Sequence, residues 1–383
     1  MSLSLRAVAV FAALAGSARG EGPGTTAVPI LQLPLSARAA GMGTAFTAAA
    51  NDASALFYNP AGLARLNAHE LEFSFSSRAG DTSLQNLAYA RPTPLTGLSG
   101  NGRTSAAAGL LYSRSGIIEV NRLNPDGSLG SSQSISAGSD MILSGAYAER
   151  IAVTPIELGG RTYSLDHYFG VTGKYVRSTV VTYSASALAA DMGYILNAPE
   201  SGWSFGAAAL NFGQKIRYAE QAEPLPATFR GGVAWQRVAR SPHSMLASLD
   251  GDYIVNEQQW HVNTGLEYYW LRTYGVRVGY QFQREEAGLT MGFGLRWNET
   301  FLFDYAWGLA RALGSSHRVS VTYRFGAVPL AQRGRLRRPF IEAMPQGEQP
   351  GSIKKRRPQP LNPAPRPGPV PRERSNGAPG WIY

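Results

Sequence analysis

Large apolar residues alternate with small or polar ones along most of the chain between residues 70 and 325. From 274 to 283, Tyr274, Val276, Val278, Tyr280 and Phe282 fall on one face, and Gly275, Arg277, Gly279, Gln281 and Gln283 on the other. Phe301, Phe303, Tyr305 and Trp307 oppose Leu302, Asp304 and Ala306, and Val319, Val321, Tyr323 and Phe325 oppose Arg318, Ser320, Thr322 and Arg324. Leu71, Phe73 and Phe75 likewise oppose Glu70, Glu72 and Ser74. Successive side chains of a strand point to opposite sides of its sheet, whereas a helix repeats near 3.6 residues, so this period predicts strands. With turn residues as boundaries, the strands fall at 70–78, 84–91, 104–113, 139–150, 166–184, 186–197, 202–212, 226–238, 244–254, 259–271, 273–284, 287–297, 300–310 and 317–325. The long connections are 114–138, which contains Asn124-Pro125-Asp126-Gly127, and 151–165.

A soluble sandwich alternates too, and the placement of charge separates the two cases. Lys174, Glu267, Arg277, Arg296, Asp304 and Arg324 share their face with Gly, Ser or Thr, opposite a face rich in aromatics. A wet lumen accepts such charges, whereas Arg or Lys facing lipid at the bilayer midplane costs about 2–4 kcal/mol. The fold class expected is therefore all-β: a transmembrane antiparallel β-barrel of about fourteen strands. An even count lets both ends of the sheet lie on the periplasmic side.

Composition adds to this picture. No stretch after Ala18 approaches eighteen consecutive apolar residues, so helical spans are not expected. Gly 43, Tyr 18 and Phe 15 with 16% charged residues suit a barrel with aromatic rims and few lipid-facing charges. Arg6, the apolar run Ala7–Ala15 and the small residues Gly16-Ser17-Ala18 have the layout of a secretory signal, so 1–20 is read as cleaved. The absence of cysteine excludes disulfides, a lipoprotein anchor and thiolate metal sites. The net charge of +10 is mostly local: beyond Phe325 eleven Lys and Arg face three Glu. That stretch, with KKRR at 354–357 and PAPRPGPVPRER at 363–374, is expected to be an extended, disordered periplasmic tail. It is either a solvated linker or an electrostatic dock for an anionic periplasmic partner.

Between the signal and the strands, residues 35–66 read LSARAAGMGTAFTAAANDASALFYNPAGLARL, which is not strand sequence. Helix formers dominate Ala45–Ala50, Asp52 can cap a following turn, and Asn59-Pro60 breaks the chain before a second short helix. So few large apolar groups cannot form a separate core, and a helical hatch within the barrel is expected for 21–67. The division is thus signal 1–20, hatch 21–67, barrel 68–325 and tail 326–383. Asn51, Asp52, Asn59, Pro60 and Gly62 are the hatch motif, with Asn59, Pro60 and Gly62 shaping a turn.

The segments Ala37-Arg38-Ala39-Ala40-Gly41-Met42-Gly43, Asn51-Asp52-Ala53-Ser54-Ala55 and Tyr58-Asn59-Pro60-Ala61-Gly62-Leu63 are followed downstream by several more in matching order. These include Gly173-Lys174-Tyr175-Val176-Arg177-Ser178, Ala190-Asp191-Met192-Gly193, Ala209-Leu210-Asn211-Phe212-Gly213 and Phe303-Asp304-Tyr305-Ala306. The series resembles the PorV/PorQ-type outer-membrane proteins, distant relatives of the FadL transporters. The resemblance implies a fourteen-stranded barrel with an N-terminal hatch. It also implies one of two roles: receiving secreted cargo proteins alongside secretion-machine components, as PorV-like members do, or moving hydrophobic compounds inward, as FadL-like members do. The extension past Phe325 departs from many members.

Enzyme chemistry is not expected. The histidines, His69, His167, His243, His261 and His317, lack metal-ligand spacing, and neither GxSxG nor a P-loop occurs. Pairs such as Gly292 and Gly294 recur at strand period and suit packing against a hatch better than phosphate binding. No cofactor, metal or nucleic-acid partner is expected. The partners are outer-membrane lipid and, on the PorV-like reading, secreted proteins. Lys174, Glu267, Arg277, Asp304 and Arg324 are candidates to line the lumen, either as a conduit or as charge pairs that fill it.

Overall fold

The structure, a computed structural model, describes residues 22, 24–78, 82–100, 103–124, 126–159, 161–218, 221–238, 242–283, 288–310 and 314–326. The predicted signal 1–20 and, apart from Gly326, the predicted tail lie outside these residues. Contacts divide the chain into Met1–Leu330 and Ala331–Tyr383, and the second unit is also outside the described residues.

Fourteen strands form one closed sheet: β1 (His69–Arg78), β2 (Thr82–Thr93), β3 (Thr104–Arg114), β4 (Gly138–Leu158), β5 (Arg161–Val180), β6 (Tyr183–Ala198) and β7 (Trp203–Gly213), continued by β8 (Thr228–Val238), β9 (Ser244–Ile254), β10 (Gln259–Trp270), β11 (Tyr274–Phe282), β12 (Leu289–Trp297), β13 (Phe301–Ala310) and β14 (Gly314–Phe325). Each pairs antiparallel with its neighbour in sequence, and β14 closes on β1 with His69 opposite Phe325. Closure leaves no sheet edge, the condition under which strands can cross a bilayer, where an unpaired backbone group has no water to turn to. Many strands have nine to twelve residues, close to the length a tilted strand needs to span the hydrocarbon layer.

The faces are inverted relative to a soluble protein. On β11, Val276 and Val278 are 54% and 42% exposed while Arg277 between them is 4% exposed. On β1, Leu71, Phe73 and Phe75 point out while Glu70, Glu72, Ser74 and Ser76 are buried. Outward aromatics gather at the rims: Phe301 stacks on Tyr323 at 5.1 Å and Tyr323 on Phe325 at 5.1 Å at one end, and Tyr253 meets Trp260 at 4.4 Å at the other. This is the interfacial girdle of a membrane barrel. The rim holding His69 and Phe325 carries both ends of the sheet, the periplasmic placement in bacterial single-chain barrels, and the opposite rim bears the longer connections 115–137 and 214–227.

Two connections differ from expectation. The predicted loop 151–165 is instead the tip of the β4–β5 hairpin, with Thr154 opposite Leu165 and Leu158 opposite Arg161. Pro155 is tolerated there because β3 ends at Thr104 opposite Glu149, so no neighbour needs its missing N–H. The 114–138 connection holds a separate two-stranded hairpin, Ile117–Leu123 with Leu129–Ser136. β5 also stops at Val180 rather than at 184, where Val181 turns with a positive φ of 57°.

The lumen contains residues 27–66, but helix is a minor part of that segment. Only Ala37–Gly41 (α1) and Ala55–Tyr58 (α2) are α-helical, with 3-10 turns at Pro29–Gln32 and Pro60–Arg65. Ala45–Ala50, expected to be helical, is irregular. There the Asp250 carboxylate of β9 accepts the N–H groups of Phe46 and Thr47 at 2.8 and 2.7 Å, so the wall satisfies these buried donors.

Candidate functional site

The junction between the lumenal segment and the wall is built on buried charge. Arg38 of α1 forks onto Glu267 of β10, with Nε and Nη2 donating to its two oxygens at 2.8 Å each, while Nη1 reaches Asp52 at 2.8 Å and Asn51 at 2.7 Å. Such planar bidentate pairing is the strong form of a charge-assisted hydrogen bond. Burial works against the Arg38 charge, but the Glu267 and Asp52 carboxylates more than offset it and hold the guanidinium pKa well above its usual value. Arg277 of β11 donates to the same Glu267 at 2.7 Å, to Asp304 of β13 at 2.7 Å and to the Tyr269 hydroxyl at 2.6 Å. Arg296 lies over the Tyr269 ring at 3.9 Å. Farther round, Arg324 pairs with Glu70 at 2.7 Å, and Glu70 accepts the Ala53 N–H at 2.8 Å. Glu267, Arg277, Asp304 and Arg324 thus lie in chains of contact that end on the lumenal segment.

Lys174 has a different setting. Its ammonium sits 2.6 Å from Asp191 of β6 and 2.7 Å from the Asn211 side chain of β7. Asn211 has a φ of 64°, in the left-handed region that Asn tolerates, and the β6–β7 register shifts beside it between Ala190 and Met192. Lys174 therefore braces a bulge in the wall rather than holding the segment.

The motif residues sit at turns of the segment. Asp52 accepts the N–H of Ser54 at 3.1 Å and its hydroxyl at 2.6 Å. Asn59 caps the turn that Pro60 begins by accepting the Ala61 N–H at 3.2 Å, and its amide donates to the Thr47 carbonyl at 2.9 Å and the Tyr194 carbonyl at 3.2 Å. Gly62 is required by proximity, since a Cβ there would lie 2.6 Å from the Ala50 carbonyl oxygen. The wall fits as closely: a Cβ on Gly279 of β11 would fall 2.1 Å from the Gly43 nitrogen. Gly292 faces Gly41 as its spacing suggested, whereas Gly294 lies beneath the Arg277 and Asp304 side chains. Arg38, Asp250 and Asp191 were not singled out as site residues by sequence reasoning. Their signal is a lone charge among small residues or on a lumenal strand face.

Not all of the inner wall is polar. Leu111, Ile142, Val176 and Ala187 stand opposite one another across β3, β4, β5 and β6 and face inward, fully buried. Val28, Ile30 and Leu35 of the lumenal segment belong to the same apolar cluster. Toward the outer rim, between residues 26–34 and the wall, lies a cavity of about 570 Å³. The strand of chain over it is tethered at the rim, where Ala27 N–H donates to the Pro224 carbonyl at 2.9 Å and the Thr26 hydroxyl donates to Glu257. Among the described residues, no group of three or more His, Asp or Glu stands close enough to hold a metal ion.

Residues 4–116 match the model of an uncharacterised protein family (UPF0164). Solved structures similar to this chain include the toluene transporter TbuX of Ralstonia pickettii, 12% identical over 75% of this chain and 97% of that one, with a TM-score of 0.48. The toluene transporter TodX of Pseudomonas putida is 11% identical over 80% of this chain and 98% of that one, with a TM-score of 0.48. A FadL homologue from Pseudomonas aeruginosa is 12% identical over 77% and 99%, with a TM-score of 0.42. No curated protein sequence matches the chain.

Proposed function

We propose that this outer-membrane-type barrel is a gated channel for small apolar molecules, with residues 27–66 as the gate. The observation that carries this reading is the inward-facing apolar row Leu111, Ile142, Val176 and Ala187. A channel for water and ions needs a polar lumen, and an apolar belt instead offers an apolar solute a surface on which to leave water. In the closed state Val28, Ile30 and Leu35 cover the belt, and passage requires a solute to take their place. The neighbouring cavity of about 570 Å³ falls within the usual size of small-molecule sites. The other reading, a PorV-like shuttle for secreted proteins, rests on the motif series alone.

Uptake into proteoliposomes of a labelled apolar solute, with a disaccharide as the polar control, tests the proposal. Wild-type protein should admit the apolar solute selectively. Ile142→Asp with Val176→Asp should slow that uptake at least about tenfold by making the belt polar. Gly279→Leu, which wedges the segment off the wall, should admit both solutes. If correctly folded wild-type barrel admits no apolar solute, and exported proteins crosslink to it in native membranes, the shuttle reading replaces this one.

A further inference from the structure

We infer that the outer cavity recognises a compact organic anion and that Arg318 is its anchor. Arg318 projects from β14, between Ser76 of β1 and Ala306 of β13, and is 4% exposed. Its Nη2 donates to the Ser76 hydroxyl at 3.1 Å, but among the described residues its Nε has no hydrogen-bond partner. Lys174, Arg230, Arg277 and Arg324 each face a carboxylate in the same lumen, and among the described residues Arg318 faces none. An uncompensated buried charge is among the most costly features a fold can carry and is normally paired. Here the unpaired guanidinium borders the cavity of about 570 Å³, so its missing partner has room to be a ligand.

The remaining lining defines the class of that ligand. Arg78 on the adjacent strand adds positive charge to the same side, and Ile30, Leu33 and Val180 supply apolar surface. Asp140 on β4 and Glu223 in the 214–227 connection also border the cavity. Strands β1, β2 and β3, however, separate the strand of Asp140 from that of Arg318 around the wall, and Glu223 lies farther round, between β7 and β8. A planar guanidinium with a free N–H suits a carboxylate or phosphate head, and the apolar lining suits a compact hydrocarbon body. The inference rests on the channel reading for its transport consequence, since it makes the preferred solute charged at one end rather than a neutral hydrocarbon.

Calorimetric binding to the full-length barrel in detergent tests this with benzoate, its neutral analogue benzamide, toluene and inorganic phosphate as probes. Benzoate should bind one to one, and benzamide and toluene at least about tenfold more weakly, the expected loss of one hydrogen bond to a charged group. Arg318→Met should weaken benzoate by about tenfold to a hundredfold and leave the neutral probes unchanged, with Arg318→Lys recovering part of the loss. Benzamide or toluene binding as tightly as benzoate in the wild type would overturn the inference without any variant needing to fold. Phosphate binding as tightly as benzoate would reduce the site to a simple ion site and overturn the organic part. Anion binding with no uptake would defeat the channel reading alone, and uptake of neutral solutes with no anion binding would defeat this inference alone.

Discussion

Replacing Glu267 with alanine is expected to destabilise the barrel with its lumenal segment by about 3–5 kcal/mol, the cost of breaking a buried ion pair by removing one partner. Glu267 is the shared acceptor of two guanidinium groups, Arg38 on the segment and Arg277 on the wall. Its loss leaves Arg38 with Asp52 and Asn51, and Arg277 with Asp304 and Tyr269. Each arginine then keeps charge that was solvated only by this arrangement. The damage should be directional: the segment should leave its seat before the sheet opens, because the sheet retains its backbone ladder. Urea unfolding in detergent should show a lowered midpoint, and polar solutes should leak through the still-closed barrel. Removing Arg38 and its second carboxylate partner as well, by Arg38→Met, Asp52→Asn and Glu267→Met together, should recover part of the loss, since neither an arginine nor a carboxylate of this cluster is then left unpaired on the segment. A change below about 1 kcal/mol for Glu267→Ala, the range of exposed ion pairs, would mean that the junction is wet.

The second large effect is expected on the opposite face of the same hairpin. Val278→Arg should cost about 2–4 kcal/mol in folding into bilayers, the penalty for arginine facing hydrocarbon near the midplane. Val278 lies halfway along β11 and points outward, one residue from the buried Arg277. Val278→Leu, of similar character, should change little. The comparison is sharp because neighbouring positions on one strand are assigned opposite solvents. Equal stability of the arginine and leucine variants in lipid would place Val278 in water.

Most of the sheet was legible before any coordinates, since a strand between lipid and lumen must alternate and a one-residue slip would turn every charge into hydrocarbon. The segment 151–165 was misread because Pro155 and the Gly159-Gly160 pair are local breakers. That a proline lies on the outer edge of a projecting ribbon is knowledge of β3, not of β4. Ala45–Ala50 was misread for a related reason: helix propensity is a weak preference that tertiary packing overrides, and this stretch is buried in the lumenal core. The lumenal placement of Glu267, Arg277 and Asp304 followed from their strand faces. Their partners did not, because Glu267 meets Arg277 through cross-strand register and Arg38 through the path of a segment more than two hundred residues earlier. Arg318 carried no distinguishing signal at all, since a charge that faces no carboxylate among the described residues becomes visible only once those residues have been placed.

The most direct test of the account is a single-cysteine scan, which the chain permits because it contains no cysteine of its own. Nitroxide labels at positions 276, 278, 303 and 321 should collide with lipid-dissolved oxygen and not with a water-soluble nickel complex. Labels at 277, 320 and 322 should show low oxygen contact, giving a two-residue repeat in step with the outward and inward rows. The opposite phase, with 276 and 278 shielded from lipid and 277 reached by the nickel complex, would contradict a membrane barrel.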